Sequence, residues 1–253
     1  MERNFEKVLF HKSDDDVIVA GHRGIRDIYP ENTMLSYRKA IEAGVDQLEI
    51  DVNMTSDRQL VLMHDNTVDR TTEKSGKIRA FTLEEIKRMD AGSHKSYEFR
   101  GEQVPTLKEL LDLIAPTKLT LNVEIKDYTF EVTDKTVRML LDYGMQDRFV
   151  IACFDANILQ YAHQKYGVYT QGFPDDMHIN FSNETRDHLY AVGIPMHMLT
   201  RELCDAYLND GIQPWAWCPN TEEAVRYAVA CGARLITCDN PLPALKLLKN
   251  KIV

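Results

Sequence analysis

Glu49 and Asp51 stand two residues apart in the stretch Asp46-Gln47-Leu48-Glu49-Ile50-Asp51-Val52. Side chains alternate across a strand, so Leu48, Ile50 and Val52 take one face and the two carboxylates take the other, ~7 Å apart. If that face is enclosed, the pair loses hydration and repels itself, and a cation or a donor network must stand close by. A second strand, Leu119 to Lys126, carries charge in the same way: Leu121, Val123 and Ile125 share one face, and Asn122, Glu124 and Lys126 share the other. Glu49, Asp51 and Glu124 then offer three oxygens and no nitrogen or sulfur, a hard set that suits Mg²⁺ or Ca²⁺ better than zinc. The competing reading is an internal ion-pair network, Glu49 or Glu124 against Lys126 or Arg23. The metal site is adopted because perturbed charge clusters at strand ends are more often functional.

Two histidines fit beside that cluster. His22 and His64 each end an extended run next to a charged residue, Arg23 and Asp65 respectively. The other six, His11, His94, His163, His178, His188 and His197, read as ordinary surface or core residues. Cleavage of a phosphodiester needs one proton removed from the attacking hydroxyl and another given to the leaving alkoxide. Imidazole titrates near neutral pH and can do either. A metal and Arg23 would stabilise charge on the phosphoryl oxygens.

The elements that must position these groups alternate between strand and helix. Val17-Ile18-Val19-Ala20, ended by Gly21, fits a buried parallel strand with His22 and Arg23 at its C-terminal end. Pro30-Glu31-Asn32-Thr33 opens a helix with apolar spacing through Met34, Tyr37, Ala40 and Ile41, closed by Gly44. The Glu49/Asp51 strand completes a βαβ unit, and a turn at Ser56-Asp57 leads to a further extended run, Leu60 to Met63. Residues 66–103 are irregular and polar, with one helix signal at Thr82 to Ile86. Such length is unusual for a plain connection, and the segment reads as an insertion that caps a barrel mouth.

After Pro105 the alternation resumes. Helices are expected at Leu107 to Ile114, Thr133 to Tyr143, Asn157 to Tyr166, Arg201 to Leu208, Thr221 to Cys231 and from Leu242. Strands are expected at Phe149 to Ala152, Val168 to Gln171, Leu189 to Pro195, Ile212 to Trp217 and Arg234 to Thr237, with a looser stretch from Gly172 to Thr185. About eight strand–helix units in a chain near the ~250 residues typical of the fold predict a TIM (β/α)8 barrel. It spans 1–253 as one domain, with the small capping insertion after the second strand. Active sites of such barrels are built at the C-terminal ends of the strands, where the charges fall.

Composition narrows the function. The chain of 253 residues is 44% hydrophobic, long enough to bury a large core. Its 30 Lys and Arg against 39 Asp and Glu leave a net charge of -9, which argues against a general nucleic-acid binder. A small phosphorylated substrate remains compatible, since a metal and a few bases reverse the sign locally. Met1 to Asp16 has no apolar signal region, and no stretch approaches the ~20 apolar residues of a membrane span. A soluble, cytoplasmic protein without stable membrane association is expected. Cys153, Cys204, Cys218, Cys231 and Cys238 show no Cys-x-x-Cys pairing and read as buried free thiols. No feature points to an oligomeric state.

His22-Arg23-Gly24, Pro30-Glu31-Asn32-Thr33, Glu49-Ile50-Asp51-Val52, His64-Asp65, Asp69-Arg70-Thr71-Thr72, Pro105-Thr106-Leu107, Glu124-Ile125-Lys126 and Thr237-Cys238-Asp239-Asn240-Pro241 together resemble the glycerophosphodiester phosphodiesterase family. The resemblance covers nearly the whole chain. It implies metal-dependent hydrolysis of a small-molecule glycerophosphodiester to glycerol 3-phosphate and an alcohol, with Mg²⁺ or Ca²⁺ as cofactor. Carried over residue by residue, it implies that His22 and His64 are the acid/base pair, and that Glu49, Asp51 and Glu124 are the metal ligands. Arg23 and Lys126 are then phosphate contacts, and Glu31 is an acid behind the ligands or linked to the metal. Trp217 is similar to the family's aromatic residue near the substrate; read from its strand alone, it is equally a core tryptophan. The chain departs from the family pattern at Cys218-Pro219, where Thr and an aliphatic residue are more frequent, at His94, and in the polar stretch Gly172 to Thr185. The alternatives are a phospholipase C-like barrel phosphodiesterase and a non-catalytic, metal-binding barrel. The sequence lacks the apolar loop or basic interfacial helix that the first would use at a membrane.

Overall fold

The protein is described by a computed structural model that covers residues 17–249; the Met1 to Asp16 segment and His11 lie outside the described residues. Strands β1 (Ile18–His22), β2 (Gln47–Met54), β4 (Thr120–Ile125), β5 (Phe149–Ala152), β6 (Thr170–Gly172), β7 (Ala191–Pro195), β8 (Gln213–Trp217) and β9 (Leu235–Cys238) run parallel. Their order, β1-β9-β8-β7-β6-β5-β4-β2 with β2 pairing back to β1, closes an eight-stranded barrel. Helices α1 (Met34–Ala43), α3 (Leu107–Ile114), α4 (Phe130–Asp142), α5 (Ala156–Tyr166), α6 (Arg201–Asn209) and α7 (Glu222–Ala230) lie between strands and α8 (Leu242–Lys249) follows the last, as in a TIM barrel.

The helix starts follow local chemistry. Thr33, Thr106, Thr129, Thr200 and Thr221 each accept a backbone N–H of the following first turn, satisfying donors that have no partner within the helix. Thr129 explains why α4 begins at Phe130, ahead of the expected Thr133. Gly44 ends α1 at φ +83°, a left-handed conformation that glycine adopts without strain.

The run at Leu60 has a different role from the barrel strands. Leu60–Leu62 (β3) pairs antiparallel with β2 and stays outside the barrel closure. The connection from β2 is a few residues long, enough for a hairpin but far short of the dozen or so that a parallel crossover needs. From there residues 64–106 leave the barrel and carry the short helix α2 (Leu83–Lys87) with its capping box, plus single 3-10 turns at Ile78–Ala80 and Tyr97–Phe99. Val68, Ile78, Ile86, Met89, Ala91 and Val104 pack there with Val61 and Met63 as a separate small core.

Alternation along the strands divides the barrel into two apolar layers. Leu48, Ile50, Val52, Leu121, Val123 and Ile125 are buried in the main core with α3 and α4 residues such as Leu110 and Leu140. A second cluster, with Ile18, Ala20, Val150, Ala191, Trp215 and Leu235, fills the barrel toward the N-terminal ends of the strands. Toward the C-terminal ends the interior positions turn polar, and strand register sets them in rows. His22 pairs with Glu49, which pairs with Asn122; one layer higher, Asp51 pairs with Glu124. No helix among the described residues is long and apolar enough to cross a membrane.

Candidate active site

Those rows open into a cleft of about 170 Å³ lined by His22, Arg23, Glu49, His64, Glu124, Lys126 and Trp217, all expected from sequence. Asp51 lies beneath them, fully buried. Oxygens of Glu49, Asp51 and Glu124 approach within 4.8 Å of one another. Two strands placed in register suffice for this, because facing positions of neighbouring strands are about 5 Å apart.

Ion pairs occupy much of the cluster, as the competing reading anticipated. Arg23 Nε lies 3.0 Å from Asp51 Oδ2, and Lys126 Nζ lies 2.5 Å from Glu124 Oε1 and 3.4 Å from Asp51 Oδ1. Two bases do not satisfy three acids here, since Arg23 also donates to Glu31 Oε1 at 2.8 Å. Glu49 Oε1 and Asp51 Oδ1 are buried and accept no hydrogen bond. Burial, followed by the charge of Asp51, pushes the Glu49 carboxyl well above its ordinary range. Burial also raises Glu124 against the pull of Lys126. Burial would raise Asp51 too, but Arg23 and Lys126 outweigh it and hold it low. Buried carboxylate oxygens that accept no hydrogen bond, in a set with no nitrogen or sulfur, fit a hard divalent cation.

Each histidine is tied to an aspartate. His22 Nδ1 is 2.6 Å from Asp239 Oδ1, and its Nε2 faces Glu49 Oε2 at 3.7 Å. Burial lowers the His22 pKa despite Asp239, which favours the neutral ring. Donation from Nδ1–H to the carboxylate leaves the Nε2 lone pair toward the cleft. Asp239 is itself held by Asn220, whose Nδ2 donates to Oδ2 at 3.0 Å, and by Arg26 at 3.2 Å. His64 repeats the pattern with its neighbour: Nδ1 is 2.7 Å from Asp65 Oδ1.

Glu31 stands apart from the acidic cluster. Its carboxylate receives Arg23 and both terminal nitrogens of Arg70 at 2.8 Å. Arg70 also grips Asp65 through Nε at 2.7 Å, so one guanidinium ties the base of Arg23 to the partner of His64. Burial opposes ionisation of Glu31, but Arg70 and Arg23 win and lower its pKa to about 2. Glu31 is thus paired with Arg23 and Arg70, outside the three-carboxylate cluster.

Several functional groups escaped the sequence reading. Asp65 and Asp239 sat within quoted motifs without a role, although Asp239 directly follows the last strand, the same position that singled out His22. Asn32 donates to Asp51 Oδ2 at 2.8 Å while accepting from the Tyr37 hydroxyl at 2.6 Å; nothing local marks a residue in the loop before a helix as such a brace. Gly24 has φ +90°, and a Cβ there would meet Ser36 Oγ, so the loop that presents Arg23 packs against α1 only with glycine. Opposite the charges, Phe154 stacks on Phe173 with ring centroids 3.6 Å apart, and Trp217 meets Phe173 edge-on. Trp217 lines the cleft instead of sitting in the core, and its buried Nε1–H has no acceptor.

A family model described as the glycerophosphoryl diester phosphodiesterase family matches residues 22–242. A glycerophosphodiester phosphodiesterase of Caldanaerobacter subterraneus subsp. tengcongensis is 31% identical over 242 residues, covering 92% of this chain and 98% of that relative. Among solved structures, a candidate glycerophosphoryl diester phosphodiesterase from Silicibacter pomeroyi superimposes with a TM-score of 0.84 at 25% identity, covering 97% of each chain. An Oleispira antarctica phosphodiesterase, solved in complex with the product sn-glycerol-3-phosphate, superimposes with a TM-score of 0.83 at 24% identity, over 92% of this chain and 97% of the other.

Proposed function

Since the chain belongs to the glycerophosphoryl diester phosphodiesterase family, we propose that its cleft hydrolyses glycerophosphodiesters to glycerol 3-phosphate and an alcohol by proton transfers between two His–Asp pairs beside a carboxylate-bound divalent cation. The observation that carries this reading is the meeting, in one cleft, of two histidines and a buried three-carboxylate cluster with oxygens that accept no hydrogen bond.

Glu49, Asp51 and Glu124 would hold Mg²⁺ or Ca²⁺, which supplies Lewis-acid charge for a phosphoryl oxygen when bound. Arg23, aimed by Glu31, and Lys126, beside Glu124, add positive charge that draws in the anionic diester and offsets charge developing on phosphorus. His22 accepts at Nε2 the proton of the attacking group, either water or a substrate hydroxyl whose cyclic phosphate water then opens, while Asp239 stabilises the imidazolium that results. His64 sits at the rim with its side chain 32% exposed and hands a proton to the alcohol, which leaves toward solvent. Phe173 and Trp217 form an apolar wall for the carbon skeleton of the substrate. Residues 66–103 act as an insertion within a single barrel domain, closing one side of the mouth through Arg70.

The test is release of glycerol 3-phosphate from glycerophosphocholine and glycerophosphoethanolamine by purified protein with Mg²⁺, with Ca²⁺ and with EDTA. Release that EDTA abolishes is the expected result; release unaffected by EDTA would remove the cation from the mechanism. His22→Ala should lower turnover by roughly 10²–10⁴-fold with the melting temperature unchanged. A barrel that uses its carboxylates only for stability would have no such need of the imidazole.

A further inference from the structure

The other face of His22 meets a second group of ligating atoms. His22 Nδ1, Cys218 Sγ and an Asp239 carboxylate oxygen lie within 4.8 Å of one another. They come from the ends of three adjacent strands, β8, β9 and β1. The His22 Nδ1 to Cys218 Sγ distance is 3.4 Å. A tetrahedral zinc ion, with bonds of ~2.0 Å to nitrogen and ~2.3 Å to sulfur, separates such a pair by ~3.6 Å. The same ion separates nitrogen from a carboxylate oxygen by ~3.3 Å, so Asp239 Oδ1, at 2.6 Å, must draw back slightly. Asn220 holds the other oxygen of Asp239. Arg26, now 3.2 Å from Oδ1 with its side chain a third exposed, has solvent to turn into.

We propose that His22, Cys218 and Asp239 form a second, softer metal site, which takes Zn²⁺ or a similar thiophilic cation and switches the enzyme off. One nitrogen, one sulfur and one oxygen suit zinc, whereas Mg²⁺ and Ca²⁺ prefer the all-oxygen cluster. Binding releases one proton, from the Cys218 thiol, and the thiolate and carboxylate together match the charge of the ion. The ion takes the Nδ1 lone pair, and the ring N–H shifts from Nδ1 to Nε2. Nε2, which faces the cleft, then carries a proton permanently and accepts none. Metal binding here is independent of the catalytic reading; only the inhibition rests on the role of His22.

The experiment titrates Co²⁺, as a spectroscopic stand-in for Zn²⁺, into the protein with Mg²⁺ in excess, and follows thiolate-to-cobalt charge-transfer absorption. One equivalent should produce the band, Zn²⁺ should displace it, and Cys218→Ser should lack it. Among the described residues, Cys153, Cys204, Cys231 and Cys238 are buried and only Cys218 is partly exposed. In Mg²⁺ alone Cys218→Ser should turn over like the unaltered enzyme, and its inhibition by Zn²⁺ should need at least tenfold more metal. Cys218→Ala provides the same comparison if serine disturbs the packing. Absence of the band from the unaltered protein, or its survival in both variants, overturns the site. Loss of the band with undiminished zinc inhibition overturns the effect on His22.

Discussion

His22 and His64 are built to one plan in two settings. Each sets Nδ1 against an aspartate oxygen, at 2.6 and 2.7 Å, and both side chains line the same cleft. His22 grows from a barrel strand, with its side chain 12% exposed, and its aspartate comes from the opposite end of the chain. His64 stands where the irregular segment begins, is 32% exposed, and takes the next residue as partner. Asp239 is clamped by Asn220 and by the strand it follows, whereas Asp65 depends on Arg70. Under the proposed mechanism, this contrast lets one dyad serve two ends of a reaction. The more enclosed ring is suited to taking a proton, and the ring nearer solvent is suited to giving one to a departing alcohol and recovering it from water.

The sharpest test removes the rings. His22→Ala should lower kcat by roughly 10²–10⁴-fold and His64→Ala by a similar factor. The alanine at 64 should be partly rescued on substrates with acidic leaving alcohols, which need no proton donor. Rescue at 22 in place of 64, read from kcat on a nitrophenyl ester and on a choline ester, would reverse the assignment.

The partners separate the two settings further. Asp239→Asn should cost roughly 10²–10³-fold in kcat, because the more enclosed ring held in the wrong tautomer cannot correct itself through water. Asp65→Asn, beside the ring nearer solvent, should stay within about tenfold. Equal losses in the two variants would show that burial does not distinguish the dyads.

Arg70→Ala loosens Asp65 and Glu31 together, and should lower kcat roughly tenfold through misplacement of His64 and Arg23. It should also change stability in acid. The folded pKa of Glu31 is lowered from 4.5 to about 2, so its stabilising contribution is full above pH 4.5 and is lost as pH falls toward 2, of order 3 kcal/mol at most. Asp65, held near 2 against burial by Arg70 and His64, loses its contribution in the same direction. Melting temperature followed from pH 5 to pH 2 should therefore fall less steeply in Arg70→Ala than in the unaltered protein. Parallel curves would show that Arg23 and solvent alone account for the lowered Glu31 pKa.

What could be read early was what repeats over short distances. Alternation of two residues put Glu49, Asp51, Glu124 and Lys126 on the face opposite the aliphatic residues, and the structure keeps that division. The βα rhythm after Pro105 named the barrel because most of its helices carry a side-chain cap, threonine in α3, α4, α6 and α7 and Asp155 in α5, and an apolar stripe. The run at Leu60 shows the limit of that rhythm. Its composition matches a barrel strand, and only the short connection from β2 makes it turn back antiparallel.

The sequence alone determined which chemistry was available: three hard oxygen donors, two imidazoles and a pair of bases, each placed at a strand end by local periodicity. The tertiary structure decided which of them meet. His22 and Asp239 are 217 residues apart in the chain, and they come together because β9 closes the barrel against β1. The same closure brings Cys218 to the back of the His22 ring. Arg70 reaches Glu31 across 39 residues. Such contacts depend on strand order and register, and no window of neighbouring residues contains them.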